Sequence, residues 1–169
     1  MEYTRPNQTT RLTGYWSDIE DGINYNNNYS TMVNIDKSKI KGVTLTSDWD
    51  VNNVLFGGNY DYQETEDKAT GKELVYHPTH KGLVYVGYRL PEFDIRAEAQ
   101  YMGDSYTNAA NTDTLKGYTL INLSGNYYIN PNLTINARLN NLADKQYQTI
   151  KGYQMPGINS FVSLTYKWF

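Results

Sequence analysis

Asn141–Phe169, NLADKQYQTIKGYQMPGINSFVSLTYKWF, is the stretch whose reading decides the fold. In its second half Val162, Leu164, Tyr166 and Trp168 are apolar, and Ser163, Thr165 and Lys167 between them are polar. Alternation with a period of two is the pattern of a strand with one apolar and one polar face. The run closes on Lys167-Trp168-Phe169. An outer-membrane barrel needs such a strand, because its last strand pairs with its first and a terminal aromatic sits at the membrane interface.

Bulk composition agrees. With 17 Tyr, 13 Gly and 14% aromatic residues in 169, the chain favours strands and turns. The mean hydropathy of −0.68 excludes a bundle of membrane helices, and no apolar run approaches the roughly 20 residues that a spanning helix needs. It does not exclude a membrane barrel, in which half of each strand faces a polar interior. Net charge −3 with dispersed Lys and Arg offers no basic stripe, so nucleic acid is not an expected partner. The absence of cysteine rules out disulfides and thiolate metal sites. Met1-Glu-Tyr-Thr-Arg-Pro holds no apolar signal stretch, so the expectation is a mature form or a C-terminal fragment.

Working back along the chain, Thr9 to Ile19 reads as a first strand, with a loop over 20–29. Thr31 to Trp49 reads as a second. Its apolar parity breaks between Ile40 and Val43, which predicts a bulge at Gly42. Asp50 to Asn53 is a tight turn, 54–63 a third strand and 64–71 a charged loop. Lys81 to Arg89 is a fourth strand with apolar residues on both faces. Phe93, Ile95, Ala97, Ala99 and Tyr101 alternate with Asp94, Arg96, Glu98 and Gln100 in a fifth. Aromatics at both ends of that row match two interfacial girdles around a lipid band. A loop over 103–116 follows. The sixth strand puts Thr119, Ile121, Leu123, Gly125, Tyr127 and Ile129 on one face; the seventh does so with Leu133, Ile135, Ala137 and Leu139. Tight connections (50–53, 90–92, 130–132) alternate with long ones (20–30, 64–80, 103–116, 145–157), and strands of near ten residues suit a tilted membrane crossing. The fold class expected is all-β, an antiparallel transmembrane β-barrel segment of about eight strands.

The terminal segment resembles the C-terminus of TonB-dependent outer-membrane receptors: Asn141, Leu142, Asp144, Lys145, Tyr147, then Gly152, Tyr153 and Gly157. Asn34 through Leu45 is similar to a family strand with a Gly-Val-Glu-Leu-like tetrad, Thr44 standing where Glu is common, and His77-Pro-Thr-His-Lys81 to a later strand's start. Ile158 replaces the usual Arg after Gly157, and Phe169 extends one residue past the usual closing aromatic, Trp168. Gly14-Tyr15 through Gly152-Tyr153-Gln154 looks most like the cobalamin receptors. The resemblance implies residues 1–169 are the C-terminal part of a 22-stranded barrel whose plug domain is absent from this chain. It also implies a Gram-negative outer-membrane location, uptake of cobalamin or a siderophore, and no enzymatic activity. The partners would be membrane lipid, TonB acting through the missing plug, and the barrel-assembly machinery acting on the C-terminal strand.

Candidate site residues are few. Tyr153 matches a tyrosine that faces the ligand in cobalamin receptors; it is otherwise one more interfacial tyrosine. Tyr106, Asn108 and Asn111 lie in a loop the family uses for capture, shortened here. His77 and His80 have the spacing of paired metal ligands but are separated by Pro78, and solvated residues at a strand start are the expectation. Asp18, Glu20 and Asp21 invite calcium but lack the EF-hand spacing. Asp94, Arg96 and Glu98 should point into the barrel interior. No catalytic constellation, cofactor site or metal site is expected. Two other architectures stay open at this point: a self-contained eight-stranded structural or adhesive barrel, and a soluble carbohydrate-binding sandwich whose apolar faces bury against each other.

Overall fold

The computed structural model describes residues 1–25 and 32–168, and the side chains of 1–20 and 37–168. Thirteen strands follow one another: β1 Glu2–Arg5, β2 Gln8–Tyr25, β3 Met32–Val51, β4 Val54–Asp67, β5 His80–Arg89, β6 Phe93–Met102, β7 Ser105–Tyr106, β8 Thr114–Leu115, β9 Tyr118–Asn130, β10 Leu133–Asn140, β11 Gln148–Ile150, β12 Tyr153–Gln154 and β13 Asn159–Tyr166. Nine of them form one sheet, in the order β1-β2-β3-β4-β5-β6-β9-β10-β13, and every pair is antiparallel. The short pairs β7–β8 and β11–β12 are hairpins within the loops.

Local chemistry sets the turns. Val51 pairs with Val54 across Asn52 and Asn53, both at positive φ (48° and 72°). A two-residue hairpin with both central residues left-handed matches the twist of its strands, and Asn tolerates that conformation. Around Pro131 the Asn132 amide donates to Asn130 Oδ1 at 2.9 Å, and the register skips Ile129 at the start of β10. These turns, with the 6–7 and 90–92 connections, lie at one end of the strands; the 68–79, 103–117 and 141–158 loops lie at the other.

Both soluble and closed alternatives fail here. Of the described residues, only Leu74 and Leu120 are buried hydrophobics. Among those residues no second layer covers the apolar face, so the sandwich is excluded. Among the described residues β1 and β13 lie at opposite edges of the sheet without pairing, so the described strands form an open sheet and not a closed eight-stranded barrel. The apolar face carries Leu45, Val84, Val86, Ile95, Ile121, Val162 and Leu164, all exposed. Aromatics bracket this band. Toward the short turns stand the stacked pair Trp49–Phe56 (5.8 Å) with Tyr88, Phe93 and Tyr127, and the Tyr166–Trp168 pair (4.8 Å). Toward the long loops stand Trp16, Tyr60, Tyr62 and Tyr101.

Several sequence expectations are corrected. β2 and β3 run 18 and 20 residues, well beyond a single crossing, so the predicted 20–29 loop is strand as far as Tyr25. The remainder of that loop, 26–29, lies outside the described residues. β4 continues to Asp67, through the first half of the predicted 64–71 loop. A short strand, β1, precedes the expected first strand and pairs with it. No bulge forms at Gly42: Tyr15↔Gly42 and Gly42↔Gln63 sit in unbroken registers. The parity change has another cause. Ile40 and Gly42 belong to the polar face, where the Tyr15 ring lies across Gly42 and the Tyr62 carbonyl closes the remaining space. The fourth expected strand, β5, is settled by pairing: Val84 and Val86 oppose Ala99 and Ala97 on the apolar face, and Leu83 and Tyr85 take the polar one.

A Cβ at Gly42 would overlap the Tyr62 carbonyl oxygen and the Tyr15 ring, whereas one at Gly14 would meet nothing within 4 Å. Gly42→Ala is therefore expected to destabilise the sheet by about 1–3 kcal/mol and Gly14→Ala to stay within about 0.5 kcal/mol. Urea unfolding midpoints in detergent micelles, compared at equal m-value, check the pair.

Candidate functional site

Two surfaces carry the polar chemistry: the inner polar face and the long-loop rim. On the polar face, pairing brings side chains from distant strands into one row. Tyr85 crosses above Gly57 to donate its hydroxyl to Asp48 Oδ1 at 2.5 Å. The Arg96 guanidinium lies 3.8 Å from the centre of the Tyr85 ring, and its Nε is 3.6 Å from Glu98 Oε2. Glu98 Oε1 accepts from Arg138 Nη2 (3.0 Å) and Asn122 Nδ2 (3.1 Å). Asp94 accepts from Asn126 Nδ2 at 2.9 Å and from the Tyr128 hydroxyl. Asp94, Arg96 and Glu98 thus share the inner face as their alternation predicts, and they bond mainly to neighbouring strands. Asn122, Arg138 and Tyr85 complete the row; only β-pairing shows that they belong to it.

The rim is built from loops tied to one another. Asn111, at φ 56°, accepts the Glu73 amide at 2.8 Å and donates back to the Glu73 carbonyl at 3.1 Å. Its side-chain amide mimics a strand and clips the 103–117 loop to the 68–79 loop. The Tyr76 amide adds a bond to the Tyr106 carbonyl at 2.8 Å. Asn108 caps the turn beneath through Thr112. Of the three capture-loop candidates, Asn108 and Asn111 therefore hold the loop's shape. Asp113 receives the Lys151 ammonium and, at 2.6 Å, the Thr107 hydroxyl, joining this loop to the last one.

Asn141 closes the last loop. It is 2% exposed, at φ 53°, and its side chain is fully engaged. Its Oδ1 accepts the Lys145 amide (2.8 Å); its Nδ2 donates to the Lys145 (2.9 Å) and Pro156 (3.4 Å) carbonyls. Both ends of the 146–155 segment are pinned by this one residue. Asp144 Oδ1 accepts the Ile158 amide at 2.9 Å, in space that any Cβ at residue 157 would invade, hence Gly157. Tyr147 packs on Tyr118, ring centres 4.5 Å apart. The signature Asn-Leu-x-Asp-Lys-x-Tyr…Gly is thus a clasp. Out of it stands the β11–β12 hairpin, whose Tyr153 is 71% exposed beside Gly152 at φ 86°.

The remaining candidates have ordinary partners. His80 is exposed at the start of β5, as expected; its Nδ1 bonds the Tyr60 hydroxyl at 2.7 Å and its ring sits against Tyr60 and Tyr62 in the upper aromatic row. His77 Nδ1 turns to the Val75 carbonyl (2.8 Å). Asp18 pairs with Lys68 at 2.6 Å and Glu20 with Lys37 at 3.3 Å; the side chain of Asp21 lies outside those described. Lysines occupy the two described carboxylates of the trio that suggested calcium.

The Lys151 ammonium and then the Thr107 hydroxyl hold the Asp113 carboxyl below the ordinary carboxylate range, against a smaller opposing effect of desolvation. A depressed value means the tie contributes above the unfolded group's pKa and is lost as pH falls through the folded one. Protection factors in 148–154, taken relative to intrinsic exchange at each pH, should therefore be flat near neutrality and fall in acid, and Lys151→Met should remove that acid step. Replacing Asn141 by Ala strands the Lys145 and Pro156 groups. This should cost about 1–3 kcal/mol locally, so that trypsin cuts at Lys145 and Lys151 roughly ten- to a hundredfold faster. Asn141→Gly, which keeps the backbone angle, should show most of the same effect.

Comparison with known proteins agrees with this geometry. A family model described as TonB dependent receptor-like, beta-barrel, matches residues 1–142. The chain is 30% identical over 165 residues to the vitamin B12 transporter BtuB of Photobacterium profundum, covering 93% of this chain and 27% of that protein. The copper transporter OprC superposes with a TM-score of 0.83 over 99% of this chain and 30% of its own, at 17% identity. The ferric enterobactin receptor PfeA of Pseudomonas aeruginosa gives 0.79 over 98% of this chain and 29% of its own, at 19% identity. At such identities the structures share the fold. The chain spans less than a third of the length of these relatives.

Proposed function

Because the chain belongs to the TonB-dependent receptor β-barrel family, we propose that it is the C-terminal barrel segment of an outer-membrane receptor for cobalamin or a similar large, scarce nutrient. The observation that carries this reading is the 30% identity to a vitamin B12 transporter across 93% of the chain. In the intact receptor the apolar face with its two aromatic rows meets lipid, and the polar face lines the interior around a plug supplied by the rest of the polypeptide. The rim loops face outward and bind. The function is transport, coupled to TonB through the plug, and the chain's part in it is recognition and wall. The open edge of β13 is the segment that the barrel-assembly machinery receives.

Tyr153 is the contact residue in this reading. Its ring is exposed on a clasped hairpin, so it meets a ligand without first being ordered, which preserves affinity. In the full receptor carrying this segment, Tyr153→Ala should weaken cyanocobalamin binding by about two- to tenfold, and Tyr153→Phe should leave it nearly unchanged. Radiolabelled cyanocobalamin binding to outer-membrane vesicles measures this. Failure of the unmodified receptor to bind cyanocobalamin, together with binding of a ferric siderophore, would replace the ligand and keep the receptor.

A further inference from the structure

Asn122 lies on β9 beneath the rim and is 6% exposed. Its two polar atoms point to different systems. Oδ1 accepts the backbone amide of Asn141 at 2.9 Å, and Nδ2 donates to Glu98 Oε1 at 3.1 Å. On one side stands the clasp that pins Lys145 and Pro156, the two ends of the Tyr153 hairpin's segment. On the other stands Glu98, held by Arg138 and flanked by Arg96, which itself lies on Tyr85. Among the described residues, Asn122 is therefore the side chain that bonds both the inner-face charge cluster and the base of the loop. The Leu142 amide, bonded to the Ile121 carbonyl at 2.8 Å, is the adjacent backbone tie.

We propose that Asn122 is a positioning residue: by fixing the Asn141 clasp to the Glu98 cluster, it sets where the Tyr153 hairpin stands over the receptor's mouth. The inference rests on Tyr153 contacting ligand. The geometry behind it is a buried amide whose donor and acceptor are both used; without it the Asn141 amide loses its acceptor, while Glu98 keeps Arg138. A residue on the inner wall thereby governs affinity at the outer rim without touching ligand.

The test uses the full receptor in detergent, with cyanocobalamin as probe. Asn122→Leu matches the side chain in size but can neither accept nor donate; it should weaken binding about three- to tenfold and raise amide exchange within 148–154. Asn122→Asp keeps the acceptor for the Asn141 amide but cannot donate to Glu98 and sets a second carboxylate against it, so it should restore no more than part of either. In a Tyr153→Ala background Asn122→Leu should cost no further affinity, since its effect passes through that ring. Asn122→Ala replaces the leucine variant if the latter does not fold. An equal loss on the Tyr153→Ala background, or unchanged exchange within 148–154, overturns the proposal. If Tyr153→Ala alone binds like the unmodified receptor, the ligand-contact reading has failed. Hairpin exchange then decides the positioning role: raised by Asn122→Leu it stands, unchanged it falls.

Discussion

A single sheet with no layer packed on either face has to satisfy its backbone by strand pairing alone. The strands from β3 to β10 pair on both sides across the middle of the sheet, while β2 meets β1 only over Gln8–Arg11, and among the described residues only Leu74 and Leu120 are buried hydrophobics. In water such a sheet would lack the main driving force for folding, since its apolar rows would stay hydrated. Placed in hydrocarbon, the same rows cost nothing to expose and the ladder bonds become obligatory. The lipid is in effect the missing half of the core. Strand alternation, aromatic rows and turn placement all answer to that condition.

With the outer face given to lipid, specificity falls to the inner face and the rim, and both are built by hydrogen bonds that join residues far apart in the chain. Glu98 gathers Arg138, Asn122 and Arg96 from three strands. Asn111 clips one loop to the next by imitating a strand. Asp113 ties that loop to the last through Lys151. These links make the rim a braced surface, and a braced hairpin loses less freedom on binding than a loose one. The terminal signature residues support this arrangement from below. Asn141, Asp144 and Gly157 shape a turn, and Tyr153 faces outward on the hairpin they hold.

Much of the fold is legible in the chain itself. Phe93–Tyr101, Thr119–Ile129 and Leu133–Leu139 take the faces their alternation assigns, and the 50–53, 90–92 and 130–132 turns fall where Asn, Asp and Pro cluster. The failures share a cause. Gly42 reads as a bulge because parity alone cannot distinguish an inserted residue from an apolar residue on the polar face; the answer lies in Tyr15, brought over it by β2. β2 and β4 read short because their polar outer ends look like loop. They stay paired there through ions such as Glu20–Lys37 and Asp18–Lys68.

What the sequence determined by itself is the alternation of faces, the positions of the tight turns, and membership of an outer-membrane receptor family, shown by a family match over residues 1–142. The pleat places neighbouring side chains on opposite faces whatever lies beside the strand, so such features are written locally. Only the tertiary structure decided which face of β5 meets lipid, that the sheet is open, and that Asn122, Asn141 and Glu98 form one connected system. Those depend on register between strands distant in sequence, where one residue of slip would carry each partner to the opposite face.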